Sequence, residues 1–255
     1  MKISICIDAL YFGKDIYSGL EEIKRCGYDK FEIWCWWDKD IDRLAELKDT
    51  LGMELTACCT KFISLVDPGQ REEYLQGLKD SIAAAKKLDC KMIITQVGND
   101  TGNSHEEQHK SLVEGLKACV PLLEENNMTL IIEPLNTRVD HQGYYLWSSD
   151  EGFSIIDEVD SPNVKLLYDI YHQQIMEGDL LRRIIPNITK IGHFHAAGNP
   201  GRNELYYGEL DYKRIFEEID KTNFNGYAGY EYFPTEPVAE GLLRTKAEVE
   251  PKAEV

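Results

Sequence analysis

IIEPLNTR, residues 131–138, is an apolar, β-branched run that delivers one carboxylate, Glu133, to its end before a proline stops the strand. The pattern recurs downstream with an acid or an imidazole at the tip. LLYDIYH closes a strand on Asp169, IGHFHAAG on His195 and YAGYEYF on Glu231. From 133 to 169 is 36 residues, from 169 to 195 is 26, and from 195 to 231 is 36. Each interval holds one strand, one loop and one helix. Four such tips converge only if the strands are parallel neighbours around a closed sheet.

The rest of the chain repeats that unit. Strands are expected at 3–10, 31–37, 54–60, 90–98, 129–134, 164–170, 188–198 and 227–233. Between them lie helical patterns: SGLEEIKRCG with Ser18 as its cap, IDRLAELKDTLG opened by Asp40 and ended by Gly52, residues 71–88, residues 106–125, SSDEGFSIIDEV, the short DLLRRIIP, and DYKRIFEEIDKTN. Pro121 predicts a kink or an early end in the fourth helix. Strand and helix alternate eight times, which predicts an α/β fold, a (β/α)8 TIM barrel. An open doubly wound sheet would carry a glycine-rich turn after its first strand, and DALYFGKD is not one.

The 255 residues are close to the roughly 250 typical of one such barrel. No linker-like composition divides them, so one domain over 1–255 is expected, with 236–255 as a C-terminal helix and a frayed tail from TKAEVEPKAEV. A net charge of −17 repels phosphate backbones and anionic membranes, so nucleic acid and membrane are excluded as partners. No apolar run reaches the about 18 residues of a spanning helix, and MKISICIDAL is too short and strand-like for a secretory signal. The seven cysteines contain no CxxC pair and mostly sit on apolar runs, as expected of reduced thiols in a cytoplasmic protein. Exposed aromatic loops hint at a homo-oligomer.

Alternation along a strand decides which side chains enter the lumen. Thr129, Ile131 and Glu133 share a face, as do Leu167 and Asp169, Ile191, His193 and His195, and Gly229 and Glu231. Each set ends on its polar member, at the end of the barrel where such folds place their sites. Three carboxylates and one imidazole brought together in a low-dielectric lumen repel one another unless a cation neutralises them. That oxygen-rich set suits Mn²⁺, Mg²⁺ or Co²⁺, and Zn²⁺ is also accommodated; an ion-pair network is the bland alternative. Lys61 and Gln96 end the third and fourth strands within expected reach of a substrate, or play plain surface roles. Glu32 reads as an inner-barrel hydrogen-bonding group and His193 as a packed group one layer below His195. Arg202, in the loop NPGR, is the best positive charge for a carboxylate or hydroxyl.

EPLNTR followed by GYYL, YDIYHQQIMEGDL, and NPGRNELYYGELDY followed by GYEY resemble the hydroxypyruvate isomerase family, within the xylose isomerase-like superfamily. The resemblance covers nearly the whole chain and is most specific from 133 to 233. It implies a barrel in which Glu133, Asp169, His195 and Glu231 ligate a divalent metal, Glu133 and Glu231 double as the acid/base pair, and His172 and Arg202 contact substrate oxygens. Hydroxypyruvate isomerases often carry an amide at the third ligand position, where ketose epimerases, and this chain, carry histidine. The expected chemistry is proton transfer through a cis-enediolate on a small keto acid or ketose. Return of the proton to the neighbouring carbon gives isomerisation, and to the opposite face of the same carbon, epimerisation. A ketose 3-epimerase is therefore the main alternative, and a keto-sugar lyase, a nuclease and a non-catalytic sugar-binding protein are weaker ones. The nuclease would need more histidine and acidic ligands and a basic groove; the binding protein would be expected to lack one of the paired glutamates.

Overall fold

In the computed structural model, which describes residues 1–250, eight parallel strands close on themselves in the order of the chain. They are β1 (Lys2–Cys6), β2 (Lys30–Ile33), β3 (Glu54–Cys59), β4 (Met92–Thr95), β5 (Thr129–Ile132), β6 (Val164–Asp169), β7 (Ile191–Ala196) and β8 (Tyr227–Tyr230). Closure is made by β8 against β1, with Lys2 opposite Tyr227 and Ile5 opposite Tyr230. The expected TIM barrel is therefore present.

Helices cover the outside: α1 (Ile7–Leu10), α2 (Ile16–Arg25), α3 (Ile41–Leu51), α4 (Arg71–Lys87), α5 (His105–Asn126), α6 (Ser149–Val159), α7 (Ile170–Met176), α8 (Leu180–Ile184), α9 (Tyr212–Asp220) and α10 (Val238–Glu248). Capping explains most of their starts. Asp40 accepts from the Arg43 amide, Ser148 from the Glu151 amide, and Ser104 with Glu107 forms a reciprocal capping box. Gly52 ends α3 in the left-handed region at φ 59°, which glycine adopts without a Cβ penalty.

Several boundaries differ from the sequence reading, each for a local reason. The first strand ends at Cys6, and residues 7–10 turn into a helical turn that presents Asp8 to the Trp34 amide at 2.6 Å. The run WCWW likewise leaves the sheet after Ile33. The cap of α2 is Asp15, not Ser18, because the Asp15 carboxylate accepts from the Tyr17 and Ser18 amides. Pro121 neither ends α5 nor shortens it; the helix runs on to Asn126, with Pro121 on the exposed side. DLLRRIIP forms only α8, followed by 3-10 turns over Ile185–Lys190. The expected tail is partly helix, since α10 reaches Glu248; residues 251–255 lie outside the described residues.

The core has two layers. One fills the space between sheet and helices, with Phe31, Phe194, Phe216, Tyr74 and Tyr230 fully buried. The other lies inside the barrel, where Ala57, Cys59, Ile94, Ile131 and Leu167 form a separate apolar plug. This plug is the floor on which the polar groups at the C-terminal mouth stand.

Candidate active site

The alternation argument places four side chains at the mouth, and the structure brings them together. Glu133 follows β5 directly, Asp169 is the last residue of β6, His195 lies in β7 opposite Asp169, and Glu231 follows β8 directly. All four are buried, with Glu133 5% and Glu231 6% exposed. His195 Nδ1 lies 3.2 Å from Glu133 Oε1 and 3.5 Å from Glu231 Oε2. Ligand-type atoms of Glu133, Asp169, His172 and Glu231 all fall within 4.8 Å of one another.

His172, expected to contact substrate oxygens, stands among the carboxylates, fully buried. The first turn of α7 carries it back over the site, because Asp169 caps that helix by accepting from the His172 amide at 3.1 Å. Asn136 fixes its tautomer. The Asn136 carbonyl accepts from the Val139 and Asp140 amides, so its NH₂ faces His172 Nδ1 at 2.6 Å. The proton therefore sits on Nε2, 3.4 Å from Asp169 Oδ2. Burial, Arg202, His141 and His195 hold the ring well below its ordinary pKa, so it is a neutral donor.

Arg202 also reaches the site. It donates to Glu231 Oε2 and lies between the rings of Tyr171 and Phe233, 5.6 and 5.7 Å from their centroids. The Trp34 indole donates to the other Glu231 oxygen at 2.5 Å. Burial opposes ionisation of Glu231, but Arg202, His195 and Trp34 outweigh it and hold the carboxyl below its ordinary range. For Asp169 the balance is reversed: burial and the Glu133 charge outweigh His195 and Arg202 and push it up to about 7.

A cavity of about 190 Å³ opens above these groups, lined by Glu133, His195, Arg202 and Glu231 together with Trp34, Cys59, Phe62, Ile94, Gln96 and Leu135. Gln96 thus stands where expected. Lys61 does not: its Nζ turns outward to Asp80 at 3.5 Å and over the Trp36 ring, because the chain leaves β3 at Cys59 and Lys61 points away from the lumen. His141, also in the cavity wall, was not singled out from sequence. It sits on a loop, and nothing in the spacing of HQGYY marks it. Asn136 and the Trp34 contact to Glu231 were missed for the same reason: both depend on loop conformation. Glu32 and His193, read as inner-barrel groups, are fully buried and 2.9 Å apart.

The donor set fits a divalent cation. Three buried carboxylates face one guanidinium, and one of them is pushed toward neutrality by burial and by the charge of another. A cation among them removes that conflict.

Residues 20–248 match the xylose isomerase-like TIM barrel family. The chain is 32% identical over 252 residues to the hydroxypyruvate isomerase of Escherichia coli, covering 95% of this chain and 97% of that protein. It is 39% identical over 130 residues to a 2-oxo-tetronate isomerase of Cupriavidus necator, about half of each chain. Among solved structures, an AP endonuclease of family 2 from Brucella melitensis superposes with a TM-score of 0.92 over 98% of this chain and 100% of that one, at 23% identity. At that identity the likeness is one of fold.

Proposed function

Because this chain belongs to the xylose isomerase-like TIM barrel family, we propose that it interconverts small 2-oxo acids of the hydroxypyruvate type by metal-dependent proton transfer at the mouth of its barrel. It is an isomerase of the sugar and keto-acid class. The observation that carries the finer reading is the pair Glu133 and Glu231, both buried and both within 3.5 Å of His195 Nδ1 at one rim.

Glu133, Asp169, His195 and Glu231 would hold a Mn²⁺, Mg²⁺, Co²⁺ or Zn²⁺ ion, which supplies a Lewis acid for the two oxygens of an α-hydroxy carbonyl. The chain's own groups do the rest. Arg202 and Trp34 keep Glu231 ionised, so it can take the proton from the carbon bearing the hydroxyl. The C–H electron pair becomes the C=C bond of an enediolate, and the carbonyl π pair moves onto oxygen. His172, neutral and with its proton on Nε2, offers a hydrogen bond to a substrate oxygen. Glu133, whose Oε1 lies 3.2 Å from the same His195 Nδ1, takes the proton of the substrate hydroxyl and delivers it to the neighbouring carbon, while the proton held by Glu231 passes to the former carbonyl oxygen, so that both glutamates end as carboxylates. Trp34, Phe62, Ile94 and Leu135 keep bulk water from the enediolate.

One observation favours a second reading, ketose 3-epimerisation: the third position of the quartet is an imidazole, as in ketose epimerases. A screen of small keto acids and ketoses in D₂O with added Mn²⁺ or Mg²⁺ separates the two, because deuterium incorporation reports enediolate formation whatever the product. Hydroxypyruvate-type acids should exchange and rearrange. Exchange confined to ketoses moves the assignment to epimerase. No exchange in any compound, or exchange undiminished in Glu133→Gln and Glu231→Gln, refutes the proton-transfer reading.

A further inference from the structure

We infer that Glu32 is the positioning residue for His195: its carboxylate, wedged between two imidazoles in a space that residue 229 leaves open, holds a proton on His195 Nε2 and so leaves Nδ1 as the atom offered to a cation beside Glu133 and Glu231. This rests on the metal-site reading above and extends it one layer into the barrel.

Three observations carry it. First, the two oxygens of Glu32 are divided between two histidines. Oε2 lies 2.9 Å from His193 Nε2 and Oε1 lies 2.9 Å from His195 Nε2. The second contact is bent away from a straight hydrogen bond, yet neither Glu32 Oε1 nor His195 Nε2 has another hydrogen-bond partner among the described residues. Both are buried, with Glu32 1% and His195 2% exposed, and at 2.9 Å each stands within reach of the other as a partner. Second, the far side of the His195 ring faces the site: Nδ1, not Nε2, is the atom within 3.5 Å of Glu133 and Glu231. Carboxylates stand at both ring nitrogens, and a cation taken up beside Glu133 and Glu231 would claim the Nδ1 lone pair, which leaves the ring proton to Nε2 and Glu32. Third, the sheet makes room for the carboxylate. Gly229 is the register partner of His195, on the same face of β8 as Glu231, and a Cβ there would land on the Glu32 carboxylate. Gly229 has ordinary strand conformation, so what it contributes is space.

The arrangement also rationalises an imidazole at 195. An amide there would need no proton placed for it, whereas an imidazole offers a lone pair to a cation only in one tautomer.

The test uses the whole protein, labelled with ¹⁵N at histidine. Two-bond ¹H–¹⁵N correlations should show a proton on His195 Nε2 both alone and with Mg²⁺, with Nδ1 bare once Mg²⁺ is bound. Calorimetry with MnCl₂ should give tight binding to the wild type and about 10- to 100-fold weaker binding to Glu32→Gln, the range usual for losing such a partner. Gly229→Ala, which keeps every titratable group and only displaces the carboxylate, should weaken Mn²⁺ in the same direction. A merely structural Glu32 would lower the melting temperature of Glu32→Gln while leaving the Mn²⁺ affinity and the His195 tautomer as they were, and that result overturns the inference. So does a wild-type spectrum with no proton on His195 Nε2, a measurement that stands even if both variants fail to fold. Failure of the wild type to bind any divalent ion would instead sink the metal-site reading, and the tautomer measurement would still decide the role of Glu32.

Discussion

Asp169→Asn should make the cation-free protein more stable while destroying its capacity to hold a cation. In the folded chain the Asp169 carboxyl is pushed from 3.8 to about 7, with burial as the largest cause and the Glu133 charge next. Its folded pKa lies above its unfolded value. The carboxyl therefore favours folding fully below about pH 4 and loses that contribution as pH rises through about 7. A displacement of about 3 units at roughly 1.4 kcal/mol each amounts to about 4 kcal/mol of strain at pH 8. Asparagine removes the titration but keeps an oxygen that can cap α7, as Asp169 does through the His172 amide. In chelator at pH 8 the variant should melt roughly 10 °C above the wild type, taking about 2–4 °C per kcal/mol for a chain of this size. At pH 4 the two should melt together. Adding Mn²⁺ should reverse the order at pH 8, since only the wild type gains from binding. Differential scanning calorimetry at both pH values settles it. A melting difference independent of pH, or a variant less stable at pH 8 in chelator, would refute the reasoning.

Trp34→Phe removes the indole donor from Glu231, so the Glu231 pKa should rise; the acidic limb of the pH profile of kcat/KM should move to higher pH, and turnover at neutral pH should fall roughly tenfold. An unmoved limb would show that the indole does not tune this carboxyl. For His109, burial lowers the pKa but Glu151 and Glu158 outweigh it, so its contribution is complete below the unfolded value near 6.5 and fades as pH rises through the higher folded value. Urea unfolding of His109→Gln should therefore show a loss of about 0.5–1 kcal/mol at pH 5.5 and nearly none at pH 9. Gly208 holds φ +93°, and a Cβ there would meet the Asn199 carbonyl; Gly208→Ala should cost about 2–3 kcal/mol by urea unfolding and disturb the loop that carries Arg202. A cost under about 0.5 kcal/mol would mean that the loop relaxes freely.

The fold and the strand-tip residues were legible because alternation and convergence are geometric. Once β5 to β8 are parallel neighbours, Glu133, Asp169, His195 and Glu231 have nowhere else to go. The segments beyond the strand ends were less legible. An apolar run such as ISICIDAL does not say where extension stops, and Cys6 ends the strand because residues 7–10 coil to bring Asp8 beneath Trp34. Lys61 was misplaced for that reason: two residues beyond β3 the alternation no longer holds, and its ammonium finds Asp80. His172 and Asn136 belong to a helix and a loop whose approach to the site depends on hydrogen bonds between them. Spacing along one strand cannot encode a contact of that kind.

The lining of the mouth is split by ancestry along the chain. Glu133, Asp169, His195 and Glu231 come from the second half of the barrel, whereas Trp34, Cys59, Phe62, Ile94 and Gln96 come from the first. On the proposed function, and with Glu32 and Trp34 aside, the early staves would shape what may enter and the late staves would perform the reaction. Retooling the segments after β3 and β4 can therefore change which compound is admitted without rewriting how its proton is moved. A laboratory seeking new specificities would randomise residues 61–64 and 96–101 before touching anything beyond 130.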